Sequence, residues 1–98
     1  MHTVILTINV NEGTSRHDIL QQIEASGAEN ENVRGLIRTY FGVAADCKSV
    51  VEIYLWQSKS DAEQFFTHEW DASVSRRWQS APMLWQDFET PLVVEGKL

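Results

Sequence analysis

Cysteine occurs once in the 98 residues, at Cys47, so no intrachain disulfide can form. Basic residues are also scarce: eight Lys and Arg stand against fourteen Asp and Glu, giving a formal net charge of −6. That balance opposes attraction to phosphate backbones and anionic membrane surfaces, and no basic run offsets it locally. Neither nucleic acid nor a membrane is expected as a partner. No apolar run is long enough for a span, and the start, MHTVILTINV, has neither a charged leader nor a signal-peptide core, so the cytoplasm is the expected location. A glycine-rich phosphate loop and a nucleophile elbow are missing too, which argues against nucleotide chemistry and serine hydrolysis. His2, His17, His68 and Cys47 are scattered, without the close pairs of zinc or iron sites, so no metal is expected. What remains is aromatic. Four Trp and four Phe supply large packing surfaces, which small folds need and interfaces favour. A chain this short is expected to form one domain, residues 1–98, since two halves would each be too small for a core.

Periodicity outlines the elements. Thr3 to Val10 alternates, with Val4, Leu6, Ile8 and Val10 on one side, and reads as a strand. Asn11, Glu12 and Gly13 make a turn, Thr14 or Ser15 can cap a helix, Ile19, Leu20 and Ile23 fall at helical spacing, and Gly27 is a stop signal. Residues 28 to 32 read as a polar loop. Arg34 to Gln57 has the pattern of a β-hairpin, two runs rich in β-branched and aromatic residues separated by Ala44 to Lys48. Ser60 and Glu63 have capping-box spacing. Beyond them Ala62, Phe66, Trp70, Val74 and Trp78 recur every four residues, and Thr67 offers a second cap, so a break is expected near Thr67 and His68. Ser80, Ala81 and Pro82 end that region. Met83 to Glu89 reads as a fourth strand and Leu92 to Glu95 as a strand-like tail that can cross onto a partner.

The order strand, helix, strand, strand, helix, strand is that of an α+β, ferredoxin-like β-α-β-β-α-β fold: a four-stranded antiparallel sheet with helices on one face. In the run Val50 to Trp56 the odd positions Val51, Ile53 and Leu55 are aliphatic, while Glu52, Tyr54 and Trp56 carry polar groups. The aliphatic set is expected under the helices. Glu52, Tyr54 and Trp56 are then expected on the opposite face, where a second copy, a ligand or both would cover them.

Gly35 to Phe41 (GLIRTYF), Ile53 to Ser58 (IYLWQS), Ala62 to Trp70 (AEQFFTHEW) and Pro91 to Glu95 (PLVVE) resemble the corresponding blocks of the YdhR-like monooxygenase family, in the dimeric α/β-barrel superfamily. The likeness covers roughly the last two thirds of the chain. It implies a homodimer whose sheets pack face to face, with a cavity between sheet and helices. Thr39, Val51, Glu52 and His68 depart from the family pattern, which often has lysine at the first, small residues at the next two and proline at the last. A large acidic residue at 52 changes the face on which a relative's substrate would lie.

The resemblance further implies a cofactor-independent monooxygenase acting on an electron-rich aromatic or polyketide-like compound. Such an enzyme needs an apolar pocket, a base and a cation or donor for the developing oxyanion. Tyr40, Tyr54 and Trp56 are candidates for lining the pocket, Glu52 or His68 for the base, and Arg38 for the cation. Each has a plainer use. The aromatics suit a core or a dimer interface, Glu52 can pair across strands with Arg38, and His68 can stand in solvent at a cap. His17 reads as a surface residue, and Cys47 has no His or helix N-terminus to activate it. A non-catalytic binding module of the same fold is the alternative function. A haem-binding or haem-degrading protein, with His68 or His17 as ligand, is a third.

Overall fold

Alternating apolar residues at the start form β1 (His2–Asn9), and Ser15 then caps α1 (Arg16–Asn30) by accepting from the Asp18 N–H at 3.1 Å. Helix α1 runs past Gly27, so the expected stop falls a turn early and Ala28 to Asn30 are helical. The computed structural model describes residues 1–80 and 82–98, and only the backbone of Pro82 and Met83; Ala81 lies outside the described residues. β2 (Leu36–Val43) and β3 (Ser49–Trp56) form the hairpin, closed by Cys47 N–H to the Ala44 carbonyl at 2.8 Å.

The second helical region is two helices, α2 (Lys59–Phe65) and α3 (His68–Trp78), broken at the expected place. The cap of α2 is Ser58, two residues before the expected Ser60. Its hydroxyl accepts from the Asp61 N–H at 3.1 Å and donates to Asp61 Oδ2 at 2.9 Å, so Asp61 rather than Glu63 answers the cap. Thr67 caps α3 by accepting from the Trp70 N–H at 3.2 Å. β4 (Pro82–Glu89) completes an antiparallel sheet of order β2-β3-β1-β4, the ferredoxin-like arrangement.

Register decides which face meets the helices. Val4, Leu6 and Ile8 lie opposite Tyr54, Glu52 and Val50, and residues directly opposite share a face. That shared face is the covered one. Leu6, Ile8 and Val50 pack with Ile19, Val74 and Trp78, while Val4, Tyr54 and Trp56 pack with Ala62, Phe65, Phe66 and Trp70. The expectation for β3 is therefore inverted: Glu52, Tyr54 and Trp56 are under the helices, and Val51, Ile53 and Leu55 look the other way. The helices bring aromatic rings, whose area suits Tyr54 and Trp56, and β1 brings its most apolar side, so burying these outweighs keeping Glu52 in water.

The other face carries no helix. Thr3, Ile5, Thr7, Ile53, Tyr40 and Phe88 belong to it by register. The C-terminal tail crosses one end of it. Thr90 hydrogen-bonds through its hydroxyl to that of Thr3, and Glu95 pairs with Arg38 at 3.0 Å on the far edge strand. The tail thus lies on its own sheet.

Candidate functional site

Glu52 is the anomaly of the core. It is 2% exposed, in the middle of β3, where a carboxylate is costly unless its oxygens are bonded. Tyr54, two residues along the same face, donates its hydroxyl to Glu52 Oε1 in a short hydrogen bond. Among the described residues Glu52 Oε2 has no hydrogen-bond partner, and neither have the buried Thr39 Oγ1 and Asn30 Nδ2. Thr39 lies opposite Tyr54 in the hairpin register, and the Asn30 amide is near enough to the Tyr54 phenol to influence it without a hydrogen bond of normal geometry. Three unpartnered polar atoms thus gather around one phenol–carboxyl pair.

Charge is supplied from the ends of two helices. Arg77 of α3, mostly buried, donates to Ser26 Oγ at 2.7 Å and to Glu29 Oε1 on α1. Burial raises the Glu52 pKa above its ordinary value; the Tyr54 hydrogen bond and the positive charge of Arg77 oppose the rise, and Glu29 adds to it. Burial, with the neighbouring Glu52, also raises that of Tyr54. A carboxyl displaced upward in this way works as an acid or base nearer neutrality. Between the C-terminal half of α1 and β2 a cleft of about 380 Å³ opens beside the cluster, with Asn30 and Thr39 among its walls and Gly27, Leu36 and Phe41 as apolar surface. Polar and apolar residues share its lining about equally, with Glu31, Asn32 and Arg38 among the polar ones, and a concave recess with convergent polar groups is a form that small-molecule sites take.

The sequence-selected residues separate. Glu52, Tyr54 and Trp56 are together under the helices, with Tyr54 and Trp56 rings stacked 6.1 Å apart. Trp56 is fully buried and its indole N–H has no partner among the described residues. Arg38 and Tyr40 are on the opposite face by register, though Arg38 also borders the cleft that Asn30 and Thr39 line; the expected Glu52–Arg38 pair does not form, and Arg38 donates to the Tyr40 hydroxyl at 3.2 Å and pairs with Glu95. His68 is exposed at the start of α3, away from Glu52, beside a cleft of about 520 Å³ that includes Phe66 and Trp85. His17 is exposed on α1, and Cys47 is half-buried in the hairpin turn. Asn30, Ser26 and Arg77 were not singled out by sequence, and Thr39 only as a departure from the family pattern. Asn30 read as loop, and Arg77 sits in an ordinary basic last turn, so no local signal marked them.

Haem does not suit the His68 cleft. Among the described residues its walls include Glu69 and Asp71 and no Lys or Arg, so the propionates would meet like charge. Among the described residues no helix is long and apolar enough to cross a membrane.

No family model matches the chain, and no curated protein matches it in sequence. Solved structures do match in fold. SnoaB, a cofactor-independent oxygenase from Streptomyces nogalater, superposes with a TM-score of 0.71 at 14% identity, covering 97% of each chain. The ActVA-Orf6 monooxygenase of Streptomyces coelicolor, in complex with nanaomycin D, gives 0.68 at 15% identity over 98% of this chain and 92% of its own. MhuD, with two manganese protoporphyrin IX per active site, gives 0.72 at 17% identity over 98% and 100%. The chain thus has the α+β fold shared by antibiotic biosynthesis monooxygenase-like proteins.

Proposed function

We propose that the protein is a cofactor-independent monooxygenase for a small electron-rich aromatic or polyketide-like compound, related to the YdhR-like group and working as a homodimer. The observation that carries this reading is the buried Glu52–Tyr54 pair, with three buried polar atoms lacking partners among the described residues, two of them on Asn30 and Thr39, which line the neighbouring cleft. The oxygenases among its fold neighbours support it. Glu52 Oε2 takes a proton from a hydroxyl or activated methylene of the substrate, Asn30 and Thr39 bond its oxygens, and Arg77 steadies the charge through Glu52. The resulting anion passes one electron to dioxygen, the radicals join as a peroxide anion at carbon, and the proton held by Glu52 returns to it to give the hydroperoxide. Loss of water then leaves a carbonyl. His68, exposed and remote, is not assigned the base role, and Arg38 and Tyr40 belong to the face proposed for the second copy.

Oxygen uptake with a panel of anthrones and hydroquinones, in buffer free of flavin and metal, tests the reading. Glu52→Gln is expected to lower turnover by about 10²- to 10⁴-fold with the fold retained. No uptake over the panel, or unchanged turnover in Glu52→Gln, would overturn it. The near-complete burial of Glu52 and Tyr54, at 2% and 1% exposure, favours one other reading, a binding module without turnover. In that case Glu52→Gln changes ligand affinity while no substrate consumes oxygen.

A further inference from the structure

A second recess lies on the same face at the opposite edge of the sheet, between α2, β1 and β4. Its volume is about 270 Å³, its floor is Val4 and Ala62, and its apolar wall is Phe66 and Trp85. The two rings meet edge to face at 5.2 Å, so they form a single wall and cannot clamp a ring between them. Ala62 is the one small residue in the helical stripe that otherwise runs Phe66, Trp70, Val74, Trp78. It leaves the space that a longer side chain would fill.

One buried polar side chain, His2, is among its walls. His2 is 7% exposed, and its Nε2 stands 3.3 Å from Asp87 Oδ1 on β4. With Nε2 turned to the carboxylate, Nδ1 is the ring nitrogen left to accept a hydrogen bond. The charged neighbours select what can approach. Lys59 is balanced by Glu63 and Asp87 around the same recess, so a carboxylate gains one cation and meets two anions. A neutral hydroxyl that donates a proton has no such conflict. The volume lies at the lower end of the range for ligand pockets, which limits the occupant to about one ring.

We infer that this recess is a binding site for a single-ring phenol, with the ring on Phe66, Trp85 and Ala62 and the hydroxyl donating to His2, held in place by Asp87. The site does not rest on the oxygenase reading: its walls share no residue with the cleft lined by Asn30 and Thr39, although Phe66 also packs edge to face on Tyr54.

The probe is 4-fluorophenol, followed by fluorine NMR of the ligand and by amide shifts of the full chain. Saturable binding is expected, with shifts concentrated at Val4, Ala62, Phe66 and Trp85. His2→Phe removes the acceptor and should weaken binding roughly fivefold, as the loss of one hydrogen bond does. Ala62→Phe fills the recess and should abolish binding, whereas Glu52→Gln leaves it unchanged. Fluorobenzene and 4-fluorobenzoate, lacking the donor or carrying a charge, should bind more weakly than the phenol. Equal binding of fluorobenzene, shifts centred on Asn30 and Thr39, or no saturable binding to the unmodified chain would each overturn the assignment. The shift map needs no variant, so it decides even if Ala62→Phe does not fold.

Discussion

Glu52 concentrates the conflict between stability and chemistry in one side chain. Its folded pKa is raised above the ordinary 4.5, chiefly by burial. Below pH 4.5 the carboxyl is neutral in both folded and unfolded chains, and its contribution is fully present. As pH rises toward the folded pKa, the unfolded chain releases the proton first, and stability falls. Glu52→Gln is therefore expected to raise the melting temperature at pH 7 to 8, with the gain vanishing near pH 4; an equal gain at both pH values would count against a raised pKa. Tyr54→Phe removes the only hydrogen-bond partner that Glu52 has among the described residues. The variant should lose about 1–3 kcal/mol in urea unfolding. It should also push the carboxyl further up, since that hydrogen bond opposes the burial effect.

At the scale of elements, local chemistry set the breaks and was legible. Thr67 stood in the sequence as a cap inside an otherwise continuous four-residue repeat, and it does divide α2 from α3. Thr67→Ala should cost about 1 kcal/mol, while Thr67→Asp, which also accepts at an N-cap, should keep most of it. Chemical denaturation of the two variants separates a capping role from a packing one. The start of α2 was misplaced by two residues because Ser58 and Ser60 both precede an acidic residue three positions on, and spacing alone does not distinguish them. Gly35 adds a constraint between elements. It sits at φ +80 just before β2, and a Cβ there would overlap the Asp61 carboxyl that answers Ser58. Gly35→Ala is expected to destabilise by about 1–2 kcal/mol from the left-handed backbone alone, with further loss from the displaced cap.

For the whole molecule the unresolved demand is the helix-free sheet face. Ile5 and Ile53 lie on it part-exposed, with Leu84 and Phe88 about half exposed, while Leu55, at the end near Thr3 and Arg38 where the tail is tied, is buried. Apolar area left in water costs about 25 cal/mol per Å², which is the physical argument for the proposed second copy. A charge in the middle should separate the copies: Ile53→Lys is expected to sediment as a folded monomer where the parent sediments as a dimer. A monomeric parent would remove the partner from this face. Removing residues 91–98 should leave the sheet folded, because Thr90 and its hydrogen bond to Thr3 remain and, among the described residues, the ion pair that is lost is the exposed Arg38–Glu95 pair. Such surface pairs contribute about 0–1 kcal/mol.

Sequence alone determined the order of elements, the hairpin, the break at Thr67 and, through that order, the ferredoxin-like fold. These depend on caps, turns and periodicity, which act between residues a few positions apart. It also drew attention to Glu52, Tyr54 and Trp56 as an odd group on one strand. Which face they occupy was decided by tertiary structure, because alternation defines two sides without saying which one the helices cover. Pairing β1 through Val4, Leu6 and Ile8 settled that choice for every strand at once. The same long-range packing put Asn30, Thr39 and Arg77 beside Glu52, sent Arg38 to the other side, and set His2 against Asp87, residues 85 positions apart.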